Sequence, residues 1–392
     1  MTAHELDESA AVPPPELELE NPTLRDLLRG WQKILGADLA SPAPPQRHRA
    51  ESIGWLKKTL QAAISLEFAT IPPYLCALWS IKNERHDVAR SIREVIQEEM
   101  LHMALACNML ASIGGTPKIC KPATAVPKYP GPLPGKVHPR LVVHLTGLNK
   151  SSVQTFLTIE RPAVFPDDVE TEPKMPPPER SIGQVYDCIL RAFEHYQPRM
   201  TTEHQITGPL AWLTFGSYTD VHQGIRLIQL QGEGATEPIR PGMDPPARPS
   251  IDWAKDNLAH YYRFNEIRHR KRLIHDAASG KYVYRGEYDY PDVWPMANVP
   301  AGGYRETDVT PEVWDLVDRF DETYSTLLRL LQNAWTPETR DSEVPCGQAA
   351  IIHAIDTMFE LEHSAKPLMT IPIPGKRGQT YGPCFRYKPA NS

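Results

Sequence analysis

Residues 66–75 read Leu-Glu-Phe-Ala-Thr-Ile-Pro-Pro-Tyr-Leu, and residues 98–103 read Glu-Glu-Met-Leu-His-Met. The first stretch lies in a predicted helix over Ala50–Asn83, because apolar residues recur there every three or four positions. Glu67 occupies one of those apolar positions, on the face expected to be buried. Since a buried carboxylate is costly unless a partner compensates its charge, Glu67 is predicted to face a cation.

A second predicted helix begins at the N-cap Asp87, ends at Gly114-Gly115 and repeats the same feature. Glu99 and His102 both stand in its apolar row, one turn apart in a Glu-x-x-His arrangement. That spacing alone is common on solvated helix faces. In a helical bundle, however, a Glu on one helix and a Glu-x-x-His on the next form half of a dinuclear carboxylate site. Carboxylate and imidazole ligands suit iron or manganese.

The rest of the chain is predicted to be mainly α-helical, with long proline-rich connections between the helices. Residues 1–45 are expected to be a disordered, proline-rich tail, and residues 46–275 a metal-binding bundle with insertions at about 121–180 and 234–250. Residues 276–392 are expected to add C-terminal helices and a turn-rich tail packed on the bundle. The further predicted elements are a strand at Arg140–Leu145 and helices at Ser181–Tyr196, Gly208–Leu230, Ile251–Leu273, Pro311–Ala334 and Gly347–Met369.

Composition narrows the class of protein. The net charge of −6 and the lack of a basic run in the sequence argue against nucleic-acid binding. No stretch approaches the ~20 uninterrupted apolar residues of a membrane span, so no membrane partner is expected. Six cysteines lie far apart without zinc-site spacing, which favours reduced thiols and a cytoplasmic location. Forty prolines, about twice the usual share, agree with the long connections predicted above.

Several longer strings accompany the two opening stretches. They are Ile113-Gly114-Gly115-Thr116-Pro117, Tyr129-Pro130-Gly131-Pro132-Leu133-Pro134, Ile159-Glu160-Arg161-Pro162, Ser181-Ile182-Gly183, Gln231-Gly232-Glu233-Gly234 and His260-Tyr261-Tyr262-Arg263-Phe264. In this order they resemble the ferritin-like domain of the iminophenyl-pyruvate dimer synthase type, found in enzymes of bisindole pigment and alkaloid biosynthesis. The resemblance covers roughly residues 50–275. It implies a ferritin-like four-helix bundle with long proline-rich insertions and additional C-terminal helices.

The resemblance also implies a second half of the metal site. Glu233 would be the carboxylate ending the third bundle helix, and His260 the imidazole of the fourth. Three residues before His260 stands Asn257, where a complete Glu-x-x-His would have Glu. An amide is a poorer ligand, so the second ion is expected to be weakly held, unless Glu266 or water supplies the missing oxygen. Glu98 lies off the apolar row and is expected to be solvated or to support the ligands. The supporting or alternative ligands are therefore Asn257, Glu266, Gln184 and Glu98.

The predicted metal site indicates an O2-dependent non-haem di-iron oxidase or oxygenase. The resemblance implies that it acts on a small amino-acid-derived metabolite in natural-product biosynthesis. Two iron ions are the expected cofactors, with manganese as an alternative and O2 as co-substrate. Phe68, Tyr74, Tyr261 and Tyr262 are candidates for the lining of a substrate pocket. An imine-coupling enzyme of the dimer-synthase type and a non-catalytic metal-binding protein are the alternatives, and the long insertions favour an enclosed substrate over storage. A small molecule is the expected partner, and a homodimer is left open.

Overall fold

The computed structural model describes residues 46–120, 126–162, 181–208, 213–232, 258–336 and 345–389. The predicted tail at 1–45 lies outside these ranges. Within them the chain is mainly α-helical, as the sequence predicted, with one two-stranded antiparallel sheet. The helices are α1 (Gln46–Trp79), α2 (Asp87–Ser112), α3 (Lys150–Ile159), α4 (Ile182–Tyr196), α5 (Tyr218–Gln231), α6 (His260–His269), α7 (Pro311–Ala334) and α8 (Gly347–Thr370), and the strands are β1 (Arg272–Asp276) and β2 (Lys281–Arg285).

Helix α1 is the central helix and ends at Trp79, earlier than predicted. Pro72 and Pro73 lie inside it and cannot donate hydrogen bonds to the carbonyls one turn earlier. The Ala69 carbonyl, which loses Pro73 as its donor, accepts a hydrogen bond from the Tyr129 hydroxyl at 2.8 Å. By length and composition α1 could cross a membrane, but 94% of its apolar window is buried inside the protein. Its apolar side chains therefore form the core.

Helix α2 begins and ends close to the predicted positions. Gly114 adopts φ +72° just past the last helical residue, which confirms the predicted stop. The predicted N-cap is wrong by one residue. His86 is the cap, because its Nδ1 accepts from the Val88 N–H at 3.2 Å, and Asp87 is the first helical residue.

The strand predicted at Arg140–Leu145 is wrong. Only Val143 pairs there, through an isolated antiparallel bridge with Gly131. The prolines on either side of Gly131 lack the N–H that a continued ladder requires. A turn closed by the Leu141 N–H on the His138 carbonyl, at 2.8 Å, also ends the extended segment on that side.

Two predicted helices are shorter than expected. Helix α5 starts only at Tyr218, because Ser217 and Asp220 form a capping box at that point. Helix α6 starts at His260 and ends at His269, because Arg270 adopts φ +54°. The chain then enters β1, which pairs in register with β2. The predicted helix at 251–273 is therefore wrong beyond His269, and its part at 251–257 lies outside the described residues.

One hydrophobic core joins the described helices. Helices α1 and α2 pack along each other, α4 packs on α1 and α5, and α3 packs on α6. Helices α7 and α8, found as predicted, pair with each other, and α8 contacts α1. This packing brings α1, α2, the end of α3 and the start of α6 to one place inside the protein.

Candidate metal centre

Helices α1 and α2 contribute the first group of polar side chains in the core. Glu67, Glu99 and His102 are all fully buried, and each offers a ligand atom within 4.8 Å of the others. Glu67 Oε2 lies 3.9 Å from His102 Nδ1. The apolar rows of the two helices face each other, so polar residues placed in both rows meet. We call this group position 1.

A second group shares Glu99 with the first and adds Glu160 and His260. Glu160 directly follows the last residue of α3, and His260 is the first residue of α6. His260 Nδ1 lies 2.8 Å from Glu99 Oε1 and 3.5 Å from Glu160 Oε2. The rings of His102 and His260 are stacked, with centroids 5.6 Å apart. We call this group position 2.

Glu160 is held by aromatic packing between α1, α3 and α6. The Tyr74 hydroxyl donates a hydrogen bond to Glu160 Oε1. The Tyr74 ring packs edge-on against Phe156 of α3, at 4.6 Å between centroids, and against Phe264 of α6 at 5.1 Å. The same contacts therefore fix the end of α3, the start of α6 and the carboxylate between them.

Five buried atoms at the two positions have no hydrogen-bond partner among the described residues: Glu67 Oε2, Glu99 Oε1, His102 Nδ1, Glu160 Oε2 and His260 Nδ1. The 2.8 Å contact of Glu99 with His260 lacks hydrogen-bond angles. Because buried polar atoms nearly always have a partner, this convergence fits metal ions.

The second polar atom of each of these side chains is within hydrogen-bond distance of a neighbouring residue. His102 Nε2 lies 2.9 Å from Gln231 Oε1, and His260 Nε2 lies 2.8 Å from Glu98 Oε2. In a neutral imidazole, an acceptor oxygen at Nε2 holds the ring proton there and leaves the lone pair of Nδ1 facing the cluster. The carboxylates have matching donors in Tyr186 for Glu67 Oε1, Thr70 for Glu99 Oε2 at 2.9 Å, and Tyr74 for Glu160 Oε1.

Burial and the charges of the cluster shift the pKa of every titratable group in it. Burial and the charge of Glu99 raise the pKa of Glu67 well above its usual value, and that of Glu160 above its own. Burial also acts to raise the pKa of Glu99, but His260 and His102 outweigh it and lower this pKa. Burial lowers the pKa of His102, whereas Glu160 and other carboxylates outweigh burial and raise that of His260. Because three buried carboxylates lie close to one another, a bound cation would stabilise their charged forms.

Other residues singled out in the sequence lie elsewhere. Glu266 is not at the cluster, because its carboxylate accepts from the Leu273 N–H at 2.7 Å and pairs with Arg272 at 3.2 Å. Gln184 is exposed and completes the capping box of α4 with Ser181. Both predictions as alternative ligands are therefore wrong. Glu233 and Asn257 lie outside the described residues.

The four predicted pocket residues are separated in the structure. Tyr74 bonds to Glu160 at position 2. Phe68 packs towards Tyr324 of α7, at 6.5 Å between ring centroids. Tyr261 and Tyr262 contact a small second apolar cluster around β1 and β2. Tyr74 is thus a direct neighbour of the cluster.

Sequence reasoning missed Glu160 as a site residue, although its Ile-Glu-Arg-Pro string stood out. The surrounding segment is rich in proline and is predicted to be an insertion without a helix. A signal for α3 was present, because Asn149 and Ser152 form a capping box at its start. Tyr186 contacts Glu67, and Gln231 contacts His102. Neither residue interrupts an apolar row as a charged side chain would, so the sequence does not mark either as part of the site.

The fold and the two positions define a class, a helical bundle with a buried carboxylate and histidine cluster. The pattern of the ferritin-like family matches residues 60–269, and the chain belongs to that family. A ferritin-like protein from Caulobacter vibrioides, known from its crystal structure, is similar in fold with a TM-score of 0.53. It is 21% identical, and the match covers 88% of this chain and 99% of that one. No curated protein matches the sequence.

Proposed function

We propose that the protein is an O2-dependent oxidase or oxygenase with a dinuclear non-haem iron centre. The observation that carries the proposal is the set of five buried ligand atoms that have no hydrogen-bond partner among the described residues. Position 1 would hold one ion through Glu67, Glu99 and His102, and position 2 another through Glu99, Glu160 and His260. Glu99 would contribute to both positions.

The donor set supports iron, with manganese as the alternative. Three carboxylates and two imidazoles form the two groups, and neither group includes a thiolate. Oxygen and imidazole donors of this kind suit divalent iron or manganese, whereas a zinc site of the structural type would use cysteine. Bound ferrous ions would supply the electrons that reduce O2.

The chain's own residues would hold the centre in place and keep bulk water away. All five side chains are at most 1% exposed. Tyr186 and Tyr74 each occupy one oxygen of a carboxylate, so that the other oxygen of Glu67 or Glu160 is left for an ion. Such fixed outer partners keep ligands oriented before the ion binds.

We further propose a small amino-acid-derived metabolite as the substrate, in natural-product biosynthesis. The support is the resemblance to the iminophenyl-pyruvate dimer synthase type, whose strings include the stretches around Glu67, Glu99 and Glu160. Imine coupling, as in that type, remains the alternative reaction. A cytoplasmic location and a homodimer also remain predictions.

The test compares two Glu-x-x-His pairs of the same chain. Glu99→Ala/His102→Ala changes the buried pair, and Glu360→Ala/His363→Ala changes an exposed pair with the same spacing on α8. Elemental analysis of the purified protein should find about two transition-metal ions per chain in the wild type. The exposed-pair variant should keep them, and the buried-pair variant should lose both.

The reaction with O2 is tested on the ferrous protein by stopped-flow absorbance. Absorbance changes that depend on O2 and decay faster with a candidate amino-acid-derived substrate support the oxidase. Less than one tightly bound ion per chain, or the same metal content in both double variants, contradicts the metal site. A loaded protein that does not react with O2 contradicts the oxidase while leaving the site intact.

A further inference from the structure

The two histidines of the cluster differ in the group that faces the outer ring nitrogen. His260 Nε2 lies 2.8 Å from a carboxylate oxygen of Glu98, whereas His102 Nε2 lies 2.9 Å from the amide oxygen of Gln231. The two imidazoles are otherwise alike, because each points Nδ1 at the cluster and each is fully buried. One imidazole therefore has a charged partner, and the other a neutral one.

The remaining donors of the two positions are matched. Glu99 is common to both. Glu67 and Glu160 are both buried, and each accepts a hydrogen bond from a tyrosine hydroxyl, of Tyr186 and Tyr74 respectively. Among the described residues, the partner of the histidine is thus the main chemical difference between position 1 and position 2.

Glu98 is paired with a buried arginine. Arg263 Nη2 donates to Glu98 Oε1 at 3.0 Å, while Glu98 Oε2 faces His260. Arg263 is itself 5% exposed, and its Nε donates to the Leu258 carbonyl at 2.6 Å. The carboxylate stands between the guanidinium and the imidazole, so the imidazole meets its negative charge. A carboxylate on the outer N–H makes a histidine a more basic and better oriented ligand.

We infer that the two metal positions are unequal, and that position 2, supported by Glu98 and Arg263, binds its ion first and more tightly. This inference rests on the proposed function, because it requires that both positions hold metal. Glu98 and Arg263 are positioning residues that act through His260. The order is the reverse of the one expected from Asn257, which predicted a weakly held second ion.

The order of filling is measured by titrating the metal-free protein with Mn2+ and following its electron paramagnetic resonance. One equivalent should give the signal of isolated ions, and a second equivalent should convert it to that of coupled pairs. The two dissociation constants should differ by about 10- to 100-fold, the usual effect of a carboxylate partner on a metal-bound histidine. His102→Ala should keep the tight phase, and His260→Ala should lose it.

Two isosteric variants isolate the charge of the partner. Glu98→Gln should weaken the tight phase by about 10- to 100-fold, and Gln231→Glu should tighten the weak phase towards it. Circular dichroism of the metal-free variants checks folding, and Gln231→Glu alone decides the matter if Glu98→Gln does not fold. Unchanged constants in both folded variants, or a tight phase lost in His102→Ala and kept in His260→Ala, would overturn the inference. Wild-type protein that binds no Mn2+ would instead contradict the proposed function.

Discussion

Gly232 leads to the sharpest prediction, because it touches the histidine of position 2. It directly follows the last residue of α5, and a Cβ added there would lie 2.4 Å from His260 Nδ1. It would also lie 2.9 Å from Cε1 and 3.0 Å from Cγ of the same ring. The variant Gly232→Ala therefore places a methyl group against the atom that faces the cluster.

The required displacement of the His260 ring follows from these distances. To reach ordinary contact at 3.4 Å, Nδ1 must move by about 1.0 Å from its position 2.4 Å from the new methyl group. The ring cannot tilt freely, since Nε2 is held by Glu98 at 2.8 Å. Metal–ligand distances tolerate only about ±0.2 Å. Gly232→Ala should therefore abolish binding at position 2 and leave position 1 able to bind.

The assay is the Mn2+ titration of the folded variant, with Gly224→Ala as the matched control. Gly224 lies within α5, and its added Cβ would lie 2.7 Å from Cε1 of Phe215 instead of a cluster residue. Both substitutions overpack the core and should cost about 1–3 kcal/mol of unfolding free energy. The control should still bind two ions, and Gly232→Ala one. Two ions bound by Gly232→Ala with wild-type constants would refute this geometry.

Three further predictions concern the groups around the cluster and the core. Tyr186→Phe removes the donor to Glu67 Oε1, so the Mn2+ affinity of position 1 should fall by about 10- to 100-fold. Equal weakening of both positions would argue against a local effect. Free metal at 100 times the dissociation constant of one position should add about 2.7 kcal/mol to the unfolding free energy in urea through that position. The variant Glu99→Gln should lose this gain. A gain of the same size in that variant would mean that the ions bind elsewhere. Asn108→Ala removes several buried hydrogen bonds, including one from Trp335 at 2.8 Å. It should lower the unfolding free energy by about 3 kcal/mol and leave the metal content unchanged. A loss below about 1 kcal/mol would contradict this role of Asn108.

The sequence alone determined the helical class and the pairing of Glu67 with Glu99 and His102. Helical periodicity is a local property, so polar residues in an apolar row can be recognised before the fold is known. Helix ends marked by glycine, such as that at Gly114, were also predictable, because a left-handed residue has a strong local preference. The strand at 140–145 failed because pairing depends on a partner segment, here one rich in proline.

Only the tertiary structure added Glu160 to the cluster, beside the His260 that the resemblance implied, and revealed the inequality of the two histidines. Glu160 follows the buried Val153, Phe156 and Leu157 at helical spacing, but this short helix lies in a segment predicted to be a proline-rich insertion. Glu98 is one residue from Glu99, about 100° away around α2, and its position off the row predicted that it is solvated or supports the ligands. It is buried because α6 packs over that side of α2 and brings Arg263 and His260 to it. A row of residues along one helix can be read from spacing, but a contact between distant segments exists only once the helices have packed.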